Sequence, residues 1–157
     1  MDDRLFRNAM GKFATGVTVI TTELDGEAHG MTANAFMSVS LNPKLVVISI
    51  GERAKMLEKI KESGKFAVNI LAAEQQEVSM LFAGQLKEKR EAEFGRIKDM
   101  PVIKEALANI VCNVHSTQVA GDHTLFIGEV QEIVLREGTP LTFFEGKYGQ
   151  LAEEQLV

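Results

Sequence analysis

Hydrophobic and polar positions along this chain come in short runs, and the runs predict many strands and few helices. Leu5, Phe6, Ala9, Met10 and Phe13 share one stripe, with Arg4, Arg7, Asn8 and Lys12 elsewhere. That spacing predicts an amphipathic helix over 3–15, capped by Asp2 or Asp3 and stopped at Gly16. Val17 to Thr22 is β-branched at nearly every position and reads as a strand. Asp25-Gly26 is a hairpin signal leading to a second strand, which runs through His29 into the stretch 30–41. Asn42-Pro43 breaks the chain, and the continuous apolar run 45–50 predicts a buried strand. After Gly51, Ala54, Leu57 and Ile60 recur every three residues and predict a helix.

Phe66, Val68 and Ile70 alternate in a strand over 65–71, followed by a short helix over 74–82 that ends at Phe82-Ala83-Gly84. Gln85–Lys98 is charged and has little periodicity, so it reads as a surface excursion over the site entrance or a subunit seam. Pro101-Val102 predicts a short turn or helix, and 106–119 leads into a long strand. Gly121-Asp122 marks a tight turn before a strand over 123–135, and Gly138-Thr139-Pro140 a break before a strand over 141–144. Lys147-Tyr148-Gly149 closes the ordered part, about 3–150 of one domain spanning 1–157, with a solvated Glu-Glu-Gln tail. Many short strands punctuated by turns predict a mainly β, closed or nearly closed antiparallel barrel.

Composition narrows the function. At 157 residues the chain can bury about 70% of its unfolded surface in one core. Hydrophobic residues at 45% and charged residues at 25% describe an ordinary globular domain. The net charge of −5, with no basic run longer than Lys89-Arg90, argues against nucleic acid. Cys112 is the only cysteine, and the histidines stand apart at 29, 115 and 123, so neither a disulfide nor a zinc ligand set is expected. The acidic start and the lack of an apolar run of about 20 residues predict a cytoplasmic protein without a membrane span.

The stretch from Gly30 to Leu41 holds the candidate chemistry. Small residues let a planar ligand approach the backbone, and Thr32, Asn34, Ser38 and Ser40 add neutral donors and acceptors at spacings suited to one face of an extended chain. From the residues alone the favoured reading is a Ser/Thr-rich strand and turn in a β core. The strand–Gly51–helix junction, with Lys55 in the helix's first turn, is a candidate anion site. No Gly-x-Gly-x-x-Gly follows a strand, so no Rossmann site for a dinucleotide is expected.

Gly30-Met31-Thr32-Ala33-Asn34-Ala35-Phe36, followed by Ser38-Val39-Ser40, resembles the flavin-contacting segment of the flavin reductase-like family. Phe6 to Thr22 is similar to that family's opening pattern, and Gly121-Asp122-His123 to Val130 to its nicotinamide-side strand. The three blocks come in order and cover about 6–148. The likeness is nearest to the small reductase components of phenol or 4-hydroxyphenylacetate monooxygenases.

The resemblance implies a Greek-key split β-barrel, a homodimer with flavin near the seam, and FAD or FMN as cofactor with NADH as co-substrate. It implies an NAD(P)H:flavin oxidoreductase whose reduced flavin serves a separate oxygenase. Implied cofactor contacts are Met31, Thr32, Ala33, Asn34, Ala35, Ser38, Ser40, Ser49, Ile50, Gly51, Lys55, Phe82, Ala83, Gly84 and Tyr148. His123 is implied to position the nicotinamide, with no general base needed. A hydride transfer carried by cofactors needs no triad or metal, and none is visible. The alternative is a flavin- or haem-binding split barrel without reductase turnover, used in storage, sensing or assembly. His29, His115 and Cys112 read as structural, and Met10, Met31 and Met37 as gap fillers beside a ring system.

Overall fold

The computed structural model describes residues 1–86 and 91–152. Its main feature is a seven-stranded antiparallel sheet in the order β3-β2-β6-β9-β10-β5-β4. These strands are β2 (Thr18–Leu24), β3 (Glu27–Ala33), β4 (Phe36–Leu41), β5 (Lys44–Gly51), β6 (Lys65–Ile70), β9 (Ala108–Ala120) and β10 (His123–Leu135). β3 and β4 stand at opposite ends of this order, yet only Asn34 and Ala35 join them. In a flat sheet the two ends would lie about 29 Å apart, whereas the Ala33-to-Phe36 step spans at most about 11 Å. The sheet therefore curls until its edges meet. No ladder joins β3 to β4, so the chain itself closes a split barrel.

The β-branched run of β2 explains its central place. Ile20 faces the barrel interior with Ile48, Ile50, Phe66, Val68 and Phe126. Val17 and Val19 point the other way, into a second cluster with Leu71, Ile103 and Leu141. A strand buried on both faces needs apolar or self-satisfied side chains throughout. Thr21 meets that need by donating to the Pro101 carbonyl at 2.7 Å, and Thr22 by donating to the Lys65 carbonyl at 2.7 Å. Helix α2 (Met56–Ser63) lies on the connection from β5 to β6 and adds Met56, Leu57 and Ile60 to the interior. Burial also pushes the Cys112 thiol up to about 12, which makes it an unreactive core residue.

Asp25 and Gly26, with φ of 53° and 80°, form the predicted turn between β2 and β3. The strands at 123–135 and 141–144 (β11) have the predicted bounds. Two expectations fail. Helix α1 (Asp3–Gly11) stops four residues early, because the Gly11 carbonyl accepts from Glu145 N–H at 3.0 Å instead of from a further turn. Thr15–Gly16 (β1) then pairs with β11, beside β12 (Lys147–Gln150). The chain around Pro101 is a strand, β8 (Met100–Val102), paired with β7 (Gly95–Ile97). Part of the predicted excursion is thus a hairpin; Lys89-Arg90 and the Glu-Glu-Gln tail lie outside the described residues. Among the described residues no helix is long and apolar enough to cross a membrane.

One buried amide ties the outer chain to the barrel. Asn69 donates to the Val19 carbonyl at 2.9 Å and to Thr21 Oγ1 at 3.1 Å. Its Oδ1 accepts from Ile103 N–H at 3.0 Å and from Asn109 Nδ2 at 2.7 Å. Asn69→Ala leaves those donors buried without that acceptor, so urea denaturation should show a loss of about 3 kcal/mol. A loss below about 1 kcal/mol would contradict this account of the network.

Candidate functional site

The two-residue closure forms the centre of the site. Thr18 Oγ1 donates to the Ala33 carbonyl at 2.6 Å, and Phe36 N–H to the Asn34 carbonyl at 3.0 Å. Ser49 N–H reaches the Ala35 carbonyl at 3.3 Å. The backbone is therefore fixed on both sides of Asn34 while the Asn34 side chain stays exposed.

Two hollows meet at Asn34. One, of about 250 Å³, is lined by Val17, Thr32, Ala33, Asn34, Ser79, Ala83, Gln85, Phe143 and Tyr148. The other, of about 350 Å³, is a largely apolar trough that includes Phe13, Thr15, Ala35, Phe36, Met37, Val47, Ser49 and Leu125. In the ladders Thr32 stands opposite Val19, and Ser49 opposite Leu125, on the outer face of the barrel. Gly51 and His123 continue that face as the next outward pair.

Helix α3 (Gln76–Phe82) forms the back wall of the smaller hollow. Fully buried Ser79 accepts at its carbonyl from Thr32 Oγ1 at 2.6 Å, and its hydroxyl lies 2.7 Å from the Tyr148 hydroxyl. Tyr148 meets Phe143 edge-on, with ring centroids 5.3 Å apart. Beyond the trough, His123 Nδ1 lies 2.7 Å from Asp122 Oδ1. The His123 Nε2 edge lies over Gly51, where a Cβ would come within 3.6 Å of it. Glu52 N–H donates to the Asp122 carbonyl at 2.9 Å, which holds the loop after β5 against this turn. The hydrogen bond from His123 holds the Asp122 carboxyl below the usual carboxylate range, with the Arg53 charge adding to the effect.

Of the residues singled out in the sequence, Thr32, Ala33, Asn34, Ala83 and Tyr148 come together in one hollow, and Ala35 and Ser49 in the other. Gly51 and His123 face each other at the far end. Met31 and Ile50 do not join them, since strand alternation turns both side chains into the interior. Phe82 packs beneath β3, where a Cβ on Gly30 would fall 2.6 Å from its ring, and it meets Phe94 at a tilt, with ring centroids 5.7 Å apart. Gly84 supplies the left-handed turn after α3, with φ of 71°. Lys55 precedes α2 instead of lying in its first turn, and it is exposed. An extra residue at Val39 sets Ser38 opposite Val46 but Ser40 opposite Leu45, so the two serines face opposite ways. The Ser49 N–H is committed to Ala35 and is not a free donor.

Sequence reasoning passed over Thr15, Ser79, Phe143 and Asp122 as site residues. Ser79 lies one turn before Phe82 on the helix already suspected, and Asp122 lies within the Gly-Asp-His turn. Thr15 and Phe143 reach the site only through the pairing of β1 with β11, which has no local signal.

This arrangement fits a flavin. Small residues and neutral amides border a flat apolar trough, and a loop carrying Arg53 and Lys55 follows β5. Among the described residues, Thr15 Oγ1 is the buried side-chain polar atom left without a partner, and Thr15 lines that trough. A larger hollow of about 440 Å³ beside Phe82 is lined by Glu77, Glu91, Glu93 and Lys104, and none of the residues singled out in the sequence lies there except Phe82.

A split barrel with these hollows on its outer face defines the class of fold. The signature of the flavin reductase like domain matches residues 10–152, and the chain belongs to that family. It is 45% identical over 148 residues to an NADH-dependent flavin reductase of a Rhodococcus species, covering 92% of this chain and 84% of that one. The 4-hydroxyphenylacetate 3-monooxygenase reductase component of Thermus thermophilus is 43% identical over 147 residues, 93% of this chain and 95% of that one. The solved structure of the flavin reductase PheA2 superposes with a TM-score of 0.95 at 67% identity, covering 98% and 100% of the two chains.

The Asp122–His123 contact predicts a pH dependence. Because the Asp122 carboxyl is depressed, its contribution is full above the ordinary carboxylate pKa and is lost as pH falls through the depressed value. In His123→Ala, ¹³C NMR should find Asp122 titrating at a higher pH than in the wild type. An unchanged titration would contradict the contact.

Proposed function

We propose that the protein is an NADH-dependent flavin reductase, the reductase component of a two-component flavin-dependent monooxygenase. The observation that carries this reading is the outer-face line from Tyr148 through Asn34 and Ser49 to Gly51 and His123. When bound, FAD or FMN supplies the hydride acceptor and NADH the donor. The protein's part is to bind, orient and exclude water.

Thr32 to Ala35, with Ser49 and Gly51, would hold the flavin ring, with the apolar trough keeping water from one face. Lys55 and Arg53 would meet the phosphates. His123, tied at Nδ1 to Asp122, would orient the nicotinamide with its other edge. Reduced flavin then passes to a separate oxygenase that acts on a phenol-type aromatic compound, and the pair works in the cytoplasm.

We further read the protein as a homodimer. Leu5, Phe6 and Met10 form the apolar stripe of α1, yet no residue of that helix is buried within the chain. Met37, Val39 and Leu41 are likewise exposed on the edge strand β4, and a second copy would cover such faces. Sedimentation should give twice the chain mass, and a monomer at micromolar concentration would contradict the dimer.

The functional reading is tested by NADH oxidation with FAD, with FMN and with no added flavin. Turnover should depend on flavin. No turnover with flavin bound would favour a storage or sensing barrel, and neither turnover nor binding would refute the flavin site. His123→Ala should raise the KM for NADH about tenfold while the flavin Kd holds, and Asn34→Asp should weaken flavin binding about tenfold, roughly 1.4 kcal/mol. Unchanged constants in either variant would remove that residue from the site.

A further inference from the structure

The Ser79–Tyr148 hydrogen bond has a direction that its surroundings decide. The two hydroxyl oxygens lie 2.7 Å apart, so either could be the donor on distance alone. Ser79 is fully buried, whereas Tyr148 is half-buried and lines the 250 Å³ hollow. A hydroxyl offers one proton and two lone pairs. Among the described residues the Ser79 hydroxyl has no partner but Tyr148. Donation from Tyr148 to Ser79 would therefore strand a buried O–H without an acceptor, which native interiors rarely tolerate. Donation from Ser79 to Tyr148 satisfies the buried proton and releases the tyrosine proton toward the open hollow. The bond from Thr32 Oγ1 to the Ser79 carbonyl holds this turn of α3 against β3, so the geometry is braced from the strand side.

We infer that Ser79 is a positioning residue that turns the Tyr148 hydroxyl proton into the hollow, making Tyr148 a hydrogen-bond donor to the pyrimidine edge of the bound flavin. The inference rests on the flavin-reductase reading. The side chains around the hollow, including Asn34, Gln85 and Tyr148, are neutral. The pyrimidine edge of a flavin presents carbonyl and ring-nitrogen acceptors, and it gains negative charge on reduction. A donor aimed there stabilises the reduced form more than the oxidised form. A chain of hydrogen bonds from Ser79 through Tyr148 polarises along its length and strengthens that last contact.

The experiment measures dissociation constants for oxidised FAD and, anaerobically, for reduced FAD. The proteins are the wild type, Tyr148→Phe, Ser79→Ala and the double variant. Tyr148→Phe should weaken reduced FAD about tenfold more than oxidised FAD, which lowers the potential of the bound flavin by about 30 mV. Ser79→Ala should shift the ratio in the same direction but less, and the double variant should match Tyr148→Phe, since Ser79 acts through Tyr148. If tyrosine were instead the donor to Ser79, Ser79→Ala would free its proton and tighten reduced FAD, and that opposite sign overturns the inference. Equal effects on both redox forms would make the pair purely structural and also overturn it, leaving the flavin reading intact. A wild type that binds FAD in neither state overturns both. Tyr148→Phe keeps the ring and its packing, so the test survives even if Ser79→Ala folds poorly.

Discussion

Everything about this site follows from a two-residue link. Asn34 and Ala35 join the first and last strands of a seven-strand order, and no ladder crosses between them. The closure is short, so the backbone at 33–36 is tied directly to both edge strands. Bonds from Thr18, Phe36 and Ser49 fix it further. A binding wall built from backbone and small side chains needs that rigidity, because it has no long side chains with which to adapt. The same closure decides what is presented, since side chains alternate and a slip of one residue would exchange the inner and outer faces.

Around that constraint the fold separates two tasks. The interior of the barrel is apolar and made by Ile20, Ile48, Ile50, Phe66 and Phe126, with α2 contributing Leu57 and Ile60. The outer face carries the polar groups, and among the described residues each buried side-chain one except Thr15 Oγ1 is matched. Asn69 secures the segment near Ile103, while Ser79 ties α3 to both β3 and β12. Thr15 Oγ1 breaks this pattern beside the trough, as a hydroxyl kept for a ligand would. Reduction of a flavin asks for positioning and a shaped surface, and the closure, α3 and the His123 turn are the elements proposed to supply them.

Much of this was legible in the chain. Local signals located β10 and β11 to the residue and placed the Asp25-Gly26 turn, because β-branched runs and glycine turns act within a few residues. The motif around Asn34 and the Gly121-Asp122-His123 turn were both read from local residues, and the fold sets Asn34 where two hollows meet and His123 opposite Gly51. What escaped reading depends on distant partners. The end of α1 is set by Glu145, far along the chain, and the strand at Pro101 by pairing with β7. The even spacing of Ser38 and Ser40 suggested one face, but the extra residue at Val39 parts them. Ser79 looked like an ordinary helical serine until Tyr148, sixty-nine residues on, came within hydrogen-bond distance.

The central claim is that the outer face at the β3–β4 closure holds the flavin. Backbone amide spectra of ¹⁵N-labelled protein, recorded as FAD is added, test it most directly. The account predicts that Asn34, Ala35, Ser49 and Gly51 shift together and saturate with one binding constant, while Leu81 and Ile103 in the acidic hollow beside Phe82 stay in place. Shifts gathered around Leu81 and Ile103, with Asn34 and Gly51 unmoved, would contradict it.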